Sequence, residues 1–408
     1  DNNELSSNES EVKNKYEIVE VKDKAELKKI LEKLKKEEKI FFYTEYIEDE
    51  RSRINKKVKS ISISDLEENK VYYCIIDEIR LDNFKEIFEN KNVLKCSNEL
   101  KTLYIVLKEN NIFPENFMFD VKIAGYLLNS TTNLYTIKDL VKTYLDENID
   151  DYVSEKEEKQ EQMNLFESNI NDKEENKKID EISIAKAYFI SRLYKVLIEE
   201  LKKHGMYELF LDVEMPVMEV LADMQYEGIY VEKQELIDFG LDLKAGLEKL
   251  TEEIYNLAGE TFNINSPKQL GELLFEKLGL TIVKKTKSGY STDVDTLEKI
   301  KSEHPIIDKI LDYRQLMKLN STYVDGMLPC INKYTNRIHS SFHQTVTATG
   351  RISSTEPNLQ NIPTRIEHGK LLRKVFKPEK GKVFVDADYS QIELRLLAHI
   401  SEDEAMVE

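Results

Sequence analysis

Four short runs rich in β-branched and aromatic residues constrain the first half of this chain most strongly. They read KIFFYTEYI, KSISIS, VYYCIID and NVLKC, and all lie between residues 39 and 96. Stretches with helical spacing of apolar residues precede and follow them, among them AELKKILEKLKK, FDVKIAGYLLN, TIKDLVKTYL and ISIAKAYFISRLYKVLIEELKKHG. Strands that alternate with helices are typical of an α/β structure, because each helix covers one face of the sheet. The sequence therefore predicts an α/β domain with a central sheet.

The second half of the chain has a different pattern. VMEVLADMQYEG predicts a helix that ends at Gly228, and a long amphipathic helix follows over about 233–258. Two more helices are predicted over 293–301 and 304–334, after which the apolar residues favour strands. The whole chain is therefore expected to be a multidomain protein of α/β and α+β class.

Composition limits the classes of protein to which the chain can belong. Its 408 residues are enough for two or three domains, and 33% of them are charged. No apolar run approaches the roughly 18 residues of a membrane span, and the polar start DNNELSSNES is unlike a signal peptide. The three cysteines lie far apart, which favours reduced thiols. We expect a cytoplasmic protein with no membrane partner.

Charge is distributed unevenly along the chain. The net charge is -18, which argues against a generally basic nucleic-acid coat protein. Residues 331–382, however, carry ten basic and three acidic side chains, whereas residues 150–181 carry twelve acidic and five basic ones. A basic strip can hold a phosphate backbone even in an acidic protein, because salt screens the distant charges. The alternative is a solvated charged face.

Two aspartates near the end of the chain are candidates for metal chemistry. The stretch KVFVDADY predicts a central strand that is buried on both faces, with Asp386 and Asp388 on one face. A carboxylate at the end of such a strand can cap the following helix, predicted to begin near Gln391. It can equally bind Mg²⁺, which prefers oxygen ligands. The spacing alone leaves both interpretations open.

Longer motifs resemble those of a known family. DADYSQIELRLLAHIS resembles motif A of the family A DNA polymerases, and TATGRISSTEPNLQNIP resembles a palm segment of the same family. MPVMEVLADMQYEGIYVE, NINSPKQLGELLFEKLGL and RQLMKLNSTYVDGMLP are similar to its entry helix and thumb. The resemblance implies an RNase H-like 3′–5′ exonuclease-type domain, then a helical thumb and the first part of a palm. The implied boundaries are 1–21 for a disordered linker, 22–206 for the exonuclease-like domain with a flexible acidic loop over 150–181, and 207–408 for a partial polymerase domain with thumb 233–325 and palm 326–408.

The family resemblance assigns roles to three motif A residues. Asp388 is similar to the aspartate that binds two catalytic Mg²⁺ ions, which activate the primer 3′-hydroxyl and stabilise the leaving pyrophosphate. Glu393 resembles the steric gate that excludes a ribose 2′-hydroxyl, and Tyr389 is expected against the incoming nucleotide. The second aspartate ligand and the nucleotide-binding helix are expected beyond Glu408, which implies that the chain is a truncated part of a polymerase and is inactive alone.

Further residues are implied to contact DNA. Arg351 matches the arginine that reaches the minor groove at the primer end, where a donor can test the geometry of a base pair without reading its identity. The other implied contacts are neutral donors along that groove and cations or hydroxyls near phosphates. They are Asn358, Gln360 and Asn361 for the groove, and Arg314, Lys318, Thr322 and Arg365 for the phosphates or the primer. For an isolated Lys or Arg, the alternative is a solvated surface charge.

The exonuclease-like domain departs from the family pattern. Tyr43 stands at the aspartate position of the first D-x-E motif and leaves Glu45 as its carboxylate. Leu103 replaces the aspartate of the N-L-K-Y-D segment, and Lys186 falls at the third position. One carboxylate cannot hold two divalent cations. The resemblance therefore predicts a retained fold without proofreading.

The acidic loop contains one apolar island, which includes Met163, Leu165 and Phe166 and follows Gln162. Such an island in a segment that cannot fold alone either docks on its own domain or binds a partner. Gln162–Phe166 resembles the five-residue peptide by which bacterial replication proteins bind the sliding clamp, with apolar anchors and an orienting glutamine. The sequence leaves both interpretations open.

Together the motifs favour template-directed DNA synthesis in replication and repair by a bacterial polymerase of this family. We expect a monomer, associated with the nucleoid, that binds primer–template DNA, deoxynucleoside triphosphates and Mg²⁺. A non-catalytic DNA-binding scaffold with the same fold is the alternative. A nuclease is disfavoured by Tyr43, Leu103 and Lys186.

Overall fold

The computed structural model describes residues 16–153, 179–286, 289–364 and 367–408. Its strands are β1 Glu17–Glu20, β2 Lys39–Ile47, β3 Lys57–Asp65, β4 Lys70–Ile75, β5 Leu94–Ser97, β6 Phe119–Asp120, β7 Ile229–Tyr230, β8 Lys285–Thr286, β9 Gly289–Tyr290, β10 Arg337–Ile338, β11 Ser341–His343 and β12 Ser353–Thr355. The α-helices are α1 Lys24–Leu34, α2 Ile76–Ile79, α3 Lys85–Phe88, α4 Leu100–Glu109, α5 Val121–Leu128, α6 Ile137–Leu145, α7 Glu181–Lys203, α8 Tyr207–Leu209, α9 Met215–Glu227, α10 Lys233–Ala258, α11 Pro267–Gly271, α12 Val294–Lys299, α13 Ile306–Leu319, α14 Glu367–Arg373, α15 Ile392–Ser401 and α16 Glu404–Val407.

Short 3₁₀ and π segments connect or extend several of these elements. The 3₁₀ turns are Lys35–Glu37, Leu81–Phe84, Ile149–Tyr152 and Leu328–Cys330. The π segments are Phe210–Glu214, Glu272–Lys277 and Asn320–Asp325. The helix predicted over 304–334 is therefore shorter than expected, because its last continuous segment ends at Asp325 and a separate 3₁₀ turn, Leu328–Cys330, follows. None of the helices in the described part of the chain combines the length and the apolar composition that crossing a bilayer requires.

The described residues separate into two compact units. The first unit, residues 1–228 and 325–362, is built on a mixed six-stranded sheet with strand order β1-β4-β3-β2-β5-β6. Strands β2, β3 and β4 are antiparallel neighbours, whereas β1, β5 and β6 pair in parallel. The four predicted strand runs are confirmed, because their apolar side chains lie in the core on both faces of the sheet.

The long helix α7 covers this sheet. It packs against β2 and β3, and its inward side chains Phe189, Leu193 and Leu197 are fully buried. The hydroxyls of Ser64 on β3 and Ser191 on α7 lie 3.1 Å apart and form a buried hydrogen bond between helix and sheet. Apolar burial on this scale supplies most of the stability of such a layer. The α/β domain predicted from the sequence is therefore confirmed.

The first strand corrects one expectation. The sequence predicted a disordered linker over 1–21, but Glu17–Glu20 form β1, which pairs in parallel with β4 from Glu17 opposite Lys70 to Glu20 opposite Tyr73. Tyr16 and Val21 at its two ends are 4% and 1% exposed. Burial of these two side chains and the ladder of hydrogen bonds hold a segment whose polar composition favours disorder.

The second unit, residues 229–324 and 363–408, is mainly helical. Its long helix α10 packs on α13 and is close enough that a Cβ on Gly240 would lie 2.7 Å from Val324 Cγ1. Ser266 caps the next helix by accepting a hydrogen bond from Gln269 N, and Pro267 occupies the first helical position.

The predicted strand KVFVDADY is not formed. Val383, Phe384 and Val385 are 80%, 57% and 88% exposed. Among the described residues no strand pairs with this stretch, and an unpaired strand has no partners for its backbone N–H and C=O groups. The following helix begins at Ile392 with Gln391 as its N-cap and no side-chain cap, so neither Asp386 nor Asp388 caps it.

Candidate nucleic-acid interface

The segment from residue 340 to residue 361 forms a small hairpin in the first unit, and we call it the 340–361 hairpin. Strand β11 pairs antiparallel with β12, with Ser341 opposite Thr355. At the base of the hairpin the buried Ser340 hydroxyl lies 2.9 Å from Ser354 Oγ and within 3.0 and 2.7 Å of the carbonyl oxygens of Thr355 and Pro357. This network fixes the two strands and the loop after them.

The four residues predicted to read the minor groove lie together on the outside of this hairpin. Arg351, Asn358, Gln360 and Asn361 are all exposed. Asn358 Oδ1 accepts a hydrogen bond from Gln360 N at 3.0 Å, and Gln360 Nε2 donates to Ile352 O at 3.0 Å. The Gln360 side chain therefore joins the segment that follows β12 to the loop between the two strands. Together the loop and this segment present one guanidinium among neutral hydrogen-bonding groups, which suits contact with an anionic polymer of variable sequence.

The loop between the two strands turns at Gly350. Its φ of +77° lies in the left-handed region that favours glycine. Across this turn, Thr347 Oγ1 donates to Arg351 O at 2.7 Å. The backbone of Arg351 is thus fixed from the opposite side of the turn.

The candidate phosphate contacts of the second unit differ among themselves. Lys318 on α13 and Thr322 in the following π segment are exposed and four residues apart, so they share a face. Arg314 is half-buried, and its guanidinium donates to the carbonyl and the hydroxyl oxygen of Thr292, the latter at 3.1 Å. Burial lowers the pKa of Arg314, and Asp293 opposes that shift. Arg314 therefore joins α13 to the 291–293 loop, a contact that the sequence did not indicate. Arg365 lies outside the described residues.

The motif A residues are at the surface of the second unit. Asp388, Tyr389 and Glu393 are exposed, with Tyr389 at 82%. Within the described part of the chain, no group of three or more His, Cys, Asp or Glu side chains could hold a metal ion. Asp388 thus offers one carboxylate, and the residues present do not make a complete Mg²⁺ site.

The exonuclease-like cleft lies in the first unit. Lys186 on α7 donates to the Tyr43 hydroxyl at 3.2 Å and lies 4.7 Å from the centre of its ring. Glu45 accepts a hydrogen bond from Ser183 Oγ at 3.2 Å. Burial and the neighbouring Glu45 raise the pKa of Tyr43, so its hydroxyl stays neutral. Leu103 is 1% exposed and belongs to the core.

The structure brings three of the four residues of the aligned motifs together, and it adds an ion pair that the sequence did not indicate. A cleft of about 560 Å³ is lined by Tyr43, Lys186, Glu99 and Lys122, among others. Lys122 Nζ lies 2.7 Å from Glu99 Oε1. Burial would raise the pKa of Glu99, but the Lys122 ammonium outweighs this effect and lowers it. The lining of this cleft includes three lysines, Lys122, Lys138 and Lys186, and one carboxylate, Glu99, so the cleft carries a net positive charge.

Comparison with known proteins agrees with this architecture. The profile of DNA polymerase family A matches residues 233–408, and that of the 3′-5′ exonuclease matches residues 18–171. DNA polymerase I of Caldicellulosiruptor bescii is 39% identical over 354 residues, which cover 86% of this chain and 37% of that protein. DNA polymerase I of Borreliella burgdorferi is 37% identical over 399 residues, which cover 94% of this chain and 42% of that protein. The chain thus spans about two fifths of the length of these relatives.

A solved structure has the same fold. The POL domain of Pol1 from M. smegmatis, in complex with DNA primer-template and dNTP, is similar to 89% of this chain and matches over 60% of its own length, with a TM-score of 0.75 and 28% sequence identity. The order of an exonuclease domain followed by a polymerase domain is common to the two profile matches and to the fold described above. Residues 233–408 of the chain belong to DNA polymerase family A.

Proposed function

We propose that this chain binds primer–template DNA and takes part in template-directed DNA synthesis in replication and repair. The single observation that carries the proposal is the 340–361 hairpin, which presents Arg351 before β12 and three amide side chains after β12 at its surface, with Gln360 hydrogen-bonded to Ile352 O between the two segments. Support comes from the match of residues 233–408 to the polymerase family and from the neighbour solved with primer-template and dNTP.

In this proposal the hairpin lies along the minor groove at the primer end. A guanidinium and neutral amides donate to the N3 and O2 acceptors that every correct base pair presents there. Lys318 and Thr322, exposed on one face of the second unit, contact the phosphate backbone. Arg314 is left out of this set, because its donors are directed at Thr292.

The test is binding of a fluorescein-labelled primer–template to the purified chain, measured by anisotropy. Arg351→Ala should weaken binding about tenfold, because a charged minor-groove contact contributes about 1–3 kcal/mol. Arg51→Ala is the control, since Arg51 is also an exposed arginine of the first unit, 75% exposed and paired with Asp49. Equal affinity of the two variants would refute the role of Arg351.

The same family resemblance supports a proposal for the chemistry of nucleotide addition. Asp388 is proposed as a ligand of the two Mg²⁺ ions, Glu393 as the steric gate and Tyr389 as a contact of the incoming nucleotide. When bound, the metal ions supply charge stabilisation for phosphoryl transfer. Since the described residues contain no group of three or more His, Cys, Asp or Glu side chains that could hold a metal ion, we expect no nucleotide incorporation by the 408-residue chain alone. Primer extension above that of an Asp388→Ala control would contradict this.

The exonuclease-like domain is proposed to lack proofreading activity. Lys186 donates a hydrogen bond to the Tyr43 hydroxyl, and both residues stand at positions where the family has carboxylates. A third position, Leu103, is apolar and buried. The domain is then a structural platform. A non-catalytic DNA-binding scaffold remains the alternative function, and it differs from the main proposal in one result: it predicts that Asp388 is dispensable in any larger polymerase that contains this chain.

The peptide Gln162–Phe166 lies outside the described residues, and its proposed partner is the sliding clamp of a bacterial replisome. Tethering by such a peptide would raise the effective concentration of the polymerase at the primer end. The measurement is binding of the chain to the cognate clamp, compared with the double variant Leu165→Ala/Phe166→Ala. Equal affinity of both versions, or none, would exclude this partner.

A further inference from the structure

The loop of the 340–361 hairpin is held by side chains that come from the exonuclease-like domain. Residues 344–352 form neither helix nor strand, so their backbone carbonyls depend on other partners. The Tyr126 hydroxyl on α5 donates to Thr347 O at 2.8 Å, and Ser130 Oγ donates to Ala348 O at 3.2 Å. Both donors belong to the same compact unit as the hairpin.

A second anchor is at the start of the hairpin. Lys101 on α4 donates to the carbonyl oxygen of Phe342 on β11. The same ammonium donates to Gln225 Oε1 on α9 at 2.9 Å. Burial lowers the pKa of Lys101 to about 8, and the nearby Glu99 opposes that shift. A partly desolvated ammonium with two fixed acceptors is a more rigid contact than a surface lysine.

The Tyr126 anchor reaches the DNA-contact residue through two hydrogen bonds. Tyr126 holds the carbonyl of Thr347, and the hydroxyl of Thr347 holds the carbonyl of Arg351 across the turn at 2.7 Å. The phenol itself is fixed, because Tyr126 is 3% exposed and its ring lies edge-on to that of Tyr135 with 5.9 Å between centroids. The buried Tyr126 hydroxyl therefore fixes the position of the turn that carries Arg351.

We propose that Tyr126 and Lys101 are positioning residues for primer–template binding: they hold the hairpin in the conformation that presents Arg351 to DNA. This inference rests on the proposed function, since it assumes that the hairpin binds DNA. It gives the exonuclease-like fold a role that requires no metal ion and no nuclease chemistry. Displacement of Arg351 should lower the affinity for primer–template DNA, because part of the binding free energy is then used to restore the position of the side chain.

The first test removes a single hydroxyl. Tyr126→Phe keeps the buried ring and deletes the bond to Thr347. Tyr135→Phe is the matched control, because Tyr135 is also buried and its hydroxyl donates to a carbonyl, that of Asn129 at 2.6 Å, which is not part of the hairpin. Both variants lose one hydrogen bond to a backbone carbonyl, so their melting temperatures should fall alike. Only Tyr126→Phe should weaken primer–template binding, by about threefold to tenfold.

The second test uses two lysines of one helix. Lys101→Met deletes the bonds to Phe342 and Gln225. Lys108→Met is the control, since Lys108 also connects α4 to α9, through Asp223 at 2.6 Å, but does not contact the hairpin. The Lys101 variant should bind primer–template more weakly than the Lys108 variant. Because neither lysine contacts a phosphate in this proposal, the dependence of log Kd on log salt should keep its slope in both.

The outcomes separate this inference from the proposed function. If wild-type chain fails to bind primer–template, or if Arg351→Ala binds as well as wild type, the proposed function fails and this inference with it. If Arg351→Ala weakens binding while Tyr126→Phe and Lys101→Met match their controls, only the positioning role is overturned. A reduced salt slope for Lys101→Met would also overturn it, because it would show direct contact of Lys101 with phosphate.

Discussion

Replacement of Gly228 by alanine should destabilise the first unit strongly, and more than the same replacement at Gly205. Gly228 ends α9 with φ 62° and ψ -176°, a region that residues other than glycine adopt at a cost of about 1–3 kcal/mol. A Cβ there would also lie 2.6 Å from His339 Nδ1 and 2.7 Å from Ile338 O. The ring can move only by breaking its contact with Gln225 O, which is 2.8 Å long, at about 1 kcal/mol more.

The expected loss of unfolding free energy for Gly228→Ala is therefore about 2–4 kcal/mol. Gly205→Ala is the control, because Gly205 has a similar φ of +66° but its Cβ would meet no atom within 4 Å. Backbone strain alone should cost that variant about 1–2 kcal/mol. Urea denaturation followed by circular dichroism measures both. Equal destabilisation of the two variants would refute the close contact with His339 and Ile338.

Three further predictions follow from other sites. Burial raises the pKa of Asp120 to about 6, above its value in the unfolded chain, although the backbone N–H groups of Leu100 and Lys122 donate hydrogen bonds to the carboxylate. The unfolded chain therefore ionises first, and the folded state loses on the order of 2–3 kcal/mol of stability as the pH rises from about 4 to 6. Asp120→Asn should remove this pH dependence of the unfolding free energy, and an unchanged dependence would contradict it. Lys318→Ala should reduce the salt slope of primer–template binding by about one, whereas an unchanged slope would argue against a phosphate contact. Mg²⁺ or Mn²⁺ should support no degradation of single-stranded DNA, and degradation that disappears in Glu45→Ala would show that the carboxylates of the cleft were wrongly aligned.

The sequence predicted the sheet of the first unit well because that signal is local. The runs of β2 to β5 are buried on both faces, and β-branched and aromatic residues report such burial directly. The same type of pattern misled at KVFVDADY. Alternation of apolar residues shows what a strand would bury, but it does not show whether a partner strand is present.

The candidate site was predictable only in part, for a related reason. Motif residues such as Arg351 and Gln360 are close in sequence, and in the structure they lie in one hairpin, on either side of β12, where Gln360 donates a hydrogen bond to Ile352 O. The anchors of that loop are distant: Tyr126 and Thr347 are separated by 221 residues, and Lys101 and Phe342 by 241. No local pattern reports a hydrogen bond at such a separation. The contact of Arg314 with Thr292 was missed because the sequence shows a cation and not its partner.

Hydrogen–deuterium exchange of the chain with and without primer–template DNA tests the central claim most directly. Residues 344–352 and 356–361 lie outside the helices and strands, so bound DNA should slow the exchange of their amides at least severalfold relative to free protein. The first turn of α1, far in sequence from any proposed contact, should be unaffected. Protection confined to regions other than the 340–361 hairpin would contradict the account.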